Sequence, residues 1–265
     1  VEPAHPVLID QYLENAVEVD VDALCDNEGN VVIGGLMEHI EPAGIHSGDS
    51  ACCLPAVSLG QGALDTIREW SRGLALALNV QGLINLQFAV QQNAEGEEIV
   101  YIIEANPRAS RTVPFVAKAT GQPLARIATR LMAGETLQQV GLTTEPQPPL
   151  QTIKEAVLPF RRFPGADTVL GPEMRSTGEV MGSADSFGMA YAKAELGAGE
   201  ALPTSGTVFL STHNRDKPAL VPVAERLAQQ GFALIATTGT AEVLTKAGLK
   251  VNAVLKVHEG RPNIE

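Results

Sequence analysis

The order of elements predicts an α/β chain in two units, first a mixed α+β unit built on antiparallel hairpins and then a parallel α/β unit. Three observations carry this. Residues 16–24 (AVEVDVDAL) alternate apolar and acidic, the two-residue period of a half-buried strand, and residues 31–39 (VVIGGLMEH) answer them across a turn at Asp26-Asn27-Glu28-Gly29-Asn30. The stretch 198–205 (AGEALPTS) breaks the composition and marks a boundary, giving units 1–197 and 198–265. Beyond it, strand 206–211, helix 217–230, strand 232–236, helix 240–247 and strand 251–256 alternate, the order of parallel strands with crossover helices. The sequence stops soon after, so the second unit reads as incomplete.

The remaining elements of the first unit follow in order. Residues 6–10 (PVLID) are a short apolar strand. Residues 41–55 are rich in small and turn-forming types and read as a loop. Ser58 opens a helix, with Gln61 three residues on as in a capping box, and Leu64, Ile67, Trp70, Leu74 and Leu78 at helical spacing. Strands 83–91 and 98–104 flank a polar turn. Two or three short helices fill 111–140, a proline-rich connector spans 141–150, and 151–158 is a strand. Residues 159–183 read as a Pro- and Gly-rich loop, and 186–197 as a helix.

Composition narrows the function. The chain has 265 residues, 45% of them hydrophobic, which suits packed cores rather than disorder. Its net charge of −12 argues against broad binding to nucleic acid or an anionic membrane. An anionic substrate would have to be held locally, by metal ions or a few placed Arg and Lys. Three cysteines, Cys25, Cys52 and Cys53, make a poor disulfide framework and fit a reducing cytoplasm. No apolar run is long enough to span a bilayer, and the first residues carry neither a signal peptide nor an initiator Met, as a fragment would.

The chemistry concentrates at the end of strand 98–104. A turn about Glu95-Gly96 sets Gln87 opposite Glu104 and Asn85 opposite Asn106, crowding oxygen-bearing side chains on one face. Carboxylate and amide oxygens suit Mg²⁺, which shares its sphere with substrate phosphates, and Arg108 just beyond suits a transferring phosphoryl group. An ordinary strand end with a solvated Arg is the plainer alternative, and a one-residue slip in register would undo the cluster.

Three passages make the likeness specific: MEHIEPAGIHSGDS at 37–50, IEANPRASRTVPFVAKATG at 103–121 and LPFRRFPGADTVLGPEMRSTGEVMG at 158–182. With the E-x-N-x-R strand end they resemble the large chain of carbamoyl-phosphate synthetase, over nearly the whole sequence. The resemblance implies the C-terminal lobe of an ATP-grasp domain from the carbamate-phosphorylating half, followed by the start of a methylglyoxal-synthase-like regulatory domain. It implies an ATP-dependent ligase that makes carbamoyl phosphate for arginine and pyrimidine synthesis. ATP, Mg²⁺ or Mn²⁺ and K⁺ are the implied cofactors. The implied partners are carbamate, a nucleotide effector, the remainder of the large chain and a separate glutaminase subunit. Another bicarbonate-activating ATP-grasp ligase, or a ligand-binding fragment without catalysis, are the alternatives.

Residue roles follow from the same resemblance. Gln11 and Leu13 match the hinge that meets adenine, and Glu18 the carboxylate that binds ribose. Gly44, Ile45, His46 and Ser47 match a loop closing on the nucleotide. Gln87, Glu104 and Asn106 match the divalent-metal ligands, Gln87 and Glu104 facing the nucleotide as well. Arg108 and Arg111 match the arginines facing the phosphoryl group. Taken singly, Leu13 also suits a core position, Glu18 and His46 solvated ones, and Arg111 a helix cap. In the second unit Ser211, Lys217, Thr237, Thr240 and Lys256 match the effector's phosphate site, although Thr237-Thr238-Gly239-Thr240 also suits a plain helix cap. Glu41, Asp49 and Glu155 match the place of an amino-acid activator, or are surface charges.

Overall fold

The computed structural model describes residues 11–263, so the strand expected at 6–10 lies outside the described residues. The chain forms two compact units that divide between Ala201 and Leu202, four residues beyond the break expected at 197. Among the described residues no helix is long and apolar enough to cross a membrane.

The first unit is built on seven antiparallel strands. They are β1 (Val17–Cys25), β2 (Val31–Pro42), β3 (Cys52–Leu54), β4 (Gly82–Gln92), β5 (Glu98–Asn106), β6 (Gln151–Val157) and β7 (Gly178–Ala184), in the order β5-β4-β1-β2-β3-β6-β7. The acidic alternation of β1 predicts one wet face. Instead β1 is an interior strand, paired with β2 on one side and β4 on the other. Its apolar face, Val19, Val21, Ala23 and Cys25, packs with Ile84, Leu86 and Phe88 under helix α1 (Gln61–Ala77). Its acidic face is buried too, with Asp20 2% and Asp22 0% exposed. One end of that second face, around Leu24, is covered by α2 (Val113–Thr120), α3 (Leu124–Met132) and α4 (Leu137–Val140). The acidic end is left for a site.

Several local expectations need correction. Helix α1 starts at Gln61, not Ser58; the N–H of its N-cap Gly60 is taken by the Glu98 carboxylate at 3.0 Å, and no capping box forms. Its buried face is Ala63, Ile67, Ser71 and Ala75, while Trp70 and Leu78 are exposed. Small residues at i, i+4 spacing let this helix lie close on the sheet, which a size-based reading of the stripe overlooks. The loop expected at 41–55 contains β3. The loop expected at 159–183 contains the start of β7, which pairs with β6 over its whole length from Val157↔Gly178 to Gln151↔Ala184. Strand pairing here overrides two glycines of low strand propensity. Helix α5 (Phe187–Ala198) lies on this hairpin, and Gly199 caps it in the left-handed conformation.

Asp26 closes the β1–β2 turn and also pins a helix. Its carboxylate accepts from the N–H groups of Glu28 (3.0 Å), Asn30 (2.9 Å) and, far along the chain, Leu137 (2.9 Å) at the start of α4. Burial opposes the charge, but these donors hold the carboxyl below the ordinary aspartate range. The stability it contributes is therefore complete above that range and is lost as pH falls through the lower folded value. Asp26→Ala is expected to destabilise the first unit by about 3 kcal/mol, since it strands buried N–H groups. Its urea midpoint should fall at pH 7, and the difference from wild type should shrink near pH 3.

The second unit holds three parallel strands, β8 (Thr207–Leu210), β9 (Ala233–Thr237) and β10 (Val251–Val254), in the order β10-β9-β8. Helices α6 (Lys217–Gln229) and α7 (Thr238–Lys246) pack on them around Leu210, Ala224, Leu234, Ala236, Ala241 and Leu244.

Candidate active site

The β4–β5 hairpin sets the chemistry. Near its turn the partners run from Gln92↔Glu98 to Phe88↔Ile102, then skip one residue to give Gln87↔Glu104 and Asn85↔Asn106. Ile103 is the extra residue of a bulge. Without it the turn would place Ile103, not Glu104, opposite Gln87. The expected pairing is the one observed, but the bulge that produces it was not foreseen. Bulges re-aim side chains in this way beside functional sites. Across β1 the rows continue as Asp20↔Gln87 and Asp22↔Asn85.

A cavity of 580 Å³ opens over the acidic end of the sheet. Gln11, Leu13, Glu18, Gly44, Ile45, His46, Ser47, Gln87, Glu104, Arg108 and Arg111 all line it, so of the residues expected to meet nucleotide, metal or phosphoryl group all but Asn106 come together here. Asn106 stands beside it, its Nδ2 donating to Glu104 Oε1 at 2.7 Å. That bond ties the two side chains together and uses the Asn106 amide nitrogen, not its oxygen. Among the described residues no three His, Cys, Asp or Glu side chains are grouped to hold a metal. One carboxylate and two amide oxygens fit a hard divalent ion that completes its sphere with phosphate and water. Glu18 lines the same cavity, near enough to Glu104 for the two charges to repel. Burial raises its carboxyl above the ordinary range, against the pull of His39.

The loop over the cavity is braced from below. His46 Nδ1 accepts the Gly48 N–H at 3.0 Å, and the His46 N–H donates to Gly171 O at 2.9 Å. His46 Nε2 is thus the nitrogen left to donate in the neutral ring. Asp49 is consumed by the backbone N–H groups of Arg175 (2.7 Å) and Ser176 (2.8 Å), which hold its carboxyl down against burial. It is a clasp, not a free acid. Buried Lys154 donates to Ser50 O at 2.6 Å. Glu41 and Glu155 do come together. Burial first, then Glu195 and Glu41, push the Glu155 carboxyl up to about 7. Gly48 lets the Arg111 guanidinium lie against this loop: a Cβ there would come within 2.8 Å of Arg111 Nη1 and push the side chain aside.

Sequence reasoning missed part of the wall, namely Tyr12, Ala43, Ala89, Ile103 and Pro172. It also missed a buried polar pair beside the site: His39 Nε2 lies 3.1 Å from Asp20 Oδ2, and Asp20 lines a second, smaller cavity with Gln87, Arg108 and Arg111. The signal was present in the V-E-V-D-V-D run, which three acids on one face of a strand would mark once that strand is known to be interior.

In the second unit Ser211 Oγ lies 3.2 Å from Thr237 Oγ1, and Thr237 lies 3.3 Å from Thr240 Oγ1. Lys217 Nζ stands 2.9 Å from where a Cβ on Gly239 would be, so the ammonium group rests over the T-T-G-T turn. Hydroxyls, a helix N-terminus and a Lys meet at the C-terminal edge of a parallel sheet, where anions bind. Lys256 follows Val254, the register partner of Thr237. Among the described residues no hydrogen bond joins Lys256 to the hydroxyl cluster; its N–H donates to Glu259 at 2.9 Å.

Comparison with known proteins places this geometry. Residues 3–140 match the family described as carbamoyl-phosphate synthase L chain, ATP binding domain, and residues 219–265 match the MGS-like domain. The chain is 61% identical over 264 residues to the carbamoyl phosphate synthase large chain of Nostoc, covering all of this chain and 24% of that protein. It is 56% identical over 263 residues to the arginine-specific, chloroplastic large chain of rice, covering 22% of it. The chain thus spans about a quarter of the length of the curated relatives it matches. A biotin carboxylase–β,γ-ATP complex from Campylobacter jejuni shares the fold at a TM-score of 0.55 and 16% identity, over 73% of this chain and 47% of that one. That likeness is one of fold.

Proposed function

The chain belongs to the family of the carbamoyl-phosphate synthase L chain, ATP binding domain, and from that premise we propose that its first unit forms one lobe of the site that phosphorylates carbamate with ATP. The observation that carries this is the convergence of Gln87, Glu104, Arg108 and Arg111 with the loop at Gly44–Ser47 on one cavity. Carbamate oxygen attacks the γ-phosphorus of ATP, the bond to the β-γ bridging oxygen breaks, and carbamoyl phosphate and ADP result. Gln11 and Leu13 meet adenine, Glu18 holds the ribose, and the loop closes over the phosphates. Gln87, Glu104 and Asn106 hold the divalent ion, Mg²⁺ or Mn²⁺, which when bound neutralises phosphate charge. Arg108 and Arg111 face the transferred group. Such chemistry needs placement and charge neutralisation and no protein nucleophile.

The same reading assigns the second unit to a nucleotide effector, whose phosphate meets Ser211, Lys217, Thr237, Thr240 and Lys256. K⁺, a glutaminase subunit that supplies ammonia, the rest of the large chain and a cytoplasmic setting complete it, with arginine and pyrimidine synthesis as the outlets. It is tested on the full-length protein, by following carbamoyl phosphate formed from ATP and carbamate. Removing divalent ions with EDTA should abolish formation, and Mg²⁺ or Mn²⁺ should restore it. Formation that persists without divalent ions would contradict the reading. The 265-residue chain alone should form none, because an ATP-grasp site closes on its nucleotide from two lobes.

A further inference from the structure

Asp22 sits in β1, 0% exposed, and none of the roles above uses it. Three elements meet at its carboxyl. Oδ1 accepts from Asn85 Nδ2 on β4 at 3.1 Å and lies 2.7 Å from Ser110 Oγ. Oδ2 lies 2.7 Å from Thr112 Oγ1, and the two hydroxyl oxygens are themselves 2.7 Å apart. Ser110 and Thr112 bracket Arg111, and Arg108 precedes them in the same turn.

The three close oxygen contacts form a closed ring. Both hydroxyls donate to the carboxyl, Ser110 to Oδ1 and Thr112 to Oδ2, and the Thr112 N–H donates to Ser110 Oγ at 3.2 Å. Burial pushes the carboxyl up to about 6, with Asp20 pushing the same way, against the hydrogen bonds of Thr112 and Ser110. A second observation points to the same anchor. Thr112 is the N-cap of α2, where a Thr hydroxyl ordinarily accepts a helix N–H. Here it makes no such cap bond and turns to Asp22 instead.

We propose that Asp22, through this ring with Ser110 and Thr112, is the positioning residue that fixes the Arg108–Arg111 loop against the central strand for phosphoryl transfer. The inference rests on the phosphoryl-transfer reading of the cavity. It is tested in the full-length large chain by steady-state kinetics of carbamoyl phosphate formation, with Glu104→Ala as the control for the site. Asp22→Ala opens the ring, and a displacement of the arginines by about 1 Å is expected to cost on the order of 10²-fold in kcat. KM for ATP should stay within about threefold, since Gln11, Leu13 and Glu18 are untouched and the lost contact acts in the transition state. Asp22→Asn keeps the ring, its oxygen accepting from Ser110 and its amide donating to Thr112, so kcat should stay within about threefold. Ser110→Ala opens the ring from the part-buried loop side and should cost about tenfold in kcat. That variant keeps the test alive if Asp22→Ala does not fold. Wild-type kcat in Asp22→Ala, equal damage in Asp22→Asn and Asp22→Ala, or no effect of Ser110→Ala would each overturn the assignment. If Glu104→Ala is inactive while Asp22→Ala is not impaired, this inference alone fails. If Glu104→Ala is itself unimpaired, the phosphoryl-transfer reading fails with it.

Discussion

Glu104→Ala in the full-length protein is expected to lower kcat for carbamoyl phosphate formation by about 10³-fold, the scale seen when a charge-neutralising group of a phosphoryl-transfer site is removed. Glu104 supplies the one carboxylate among Gln87, Glu104 and Asn106, and it holds Asn106 through the 2.7 Å bond to Oε1. Two substitutions separate those roles. Glu104→Gln keeps an acceptor for the Asn106 amide but removes the charge, so it should be nearly as impaired as Ala. Glu104→Asp keeps the charge on a shorter arm and should fall between. The side chain is exposed, so the melting temperature should not move. Full activity in Glu104→Gln would mean the hydrogen bond, not the charge, is what the site requires.

Gly182→Ala carries the largest expected effect on stability. Gly182 is buried in β7 opposite Ile153, directly beneath α5. A Cβ there would overlap the Ala190 carbonyl oxygen and come within 2.5 Å of Ala194 N and 2.9 Å of Lys193 Cβ. Two of those three are helix backbone, which cannot swing aside like a side-chain tip. The substitution should cost about 3 kcal/mol as an overpacked contact. Gly62→Ala in α1 is the contrasting change, since a Cβ there meets nothing within 4 Å. It should be neutral or stabilise by up to about 1 kcal/mol, because Ala is the better helix residue. Hydrogen exchange in the full-length protein reads both, with faster exchange of β7 and α5 amides in Gly182→Ala and unchanged or slower exchange of α1 in Gly62→Ala. Equal protection of α5 in wild type and Gly182→Ala would show that the helix can shift at little cost.

The sequence made some of this architecture legible and hid the rest for physical reasons. The β1–β2 hairpin, the strand–helix alternation of the second unit and the Gln87–Glu104 pairing all rest on period and turn chemistry, which act over a few residues. What was hidden depends on long-range neighbours. The acidic face of β1 reads as solvated until β2 and β4 flank it and the α2–α4 layer covers its far end. β7 reads as loop because two glycines and a preceding Pro- and Gly-rich run mask it, and only β6 draws it into the sheet. The true buried stripe of α1 is made of Ala63, Ser71 and Ala75 around Ile67, too small to stand out beside Trp70 and Leu78. At the site, most residues came from the family likeness. The buried Asp20, Asp22 and His39 needed the three-dimensional arrangement, since nothing local distinguishes a buried acid from a surface one.

The most direct test of the central claim runs the reaction backwards. ATP made from ADP and carbamoyl phosphate is the reverse of the transfer proposed for this site. The measurement is that rate in the full-length chain, wild type against Arg111→Ala. A site at Gln87, Glu104, Arg108 and Arg111 predicts measurable ATP formation in wild type and a fall of about 10³-fold in the variant. An unchanged rate in Arg111→Ala would place the phosphoryl transfer elsewhere in the chain and contradict the assignment.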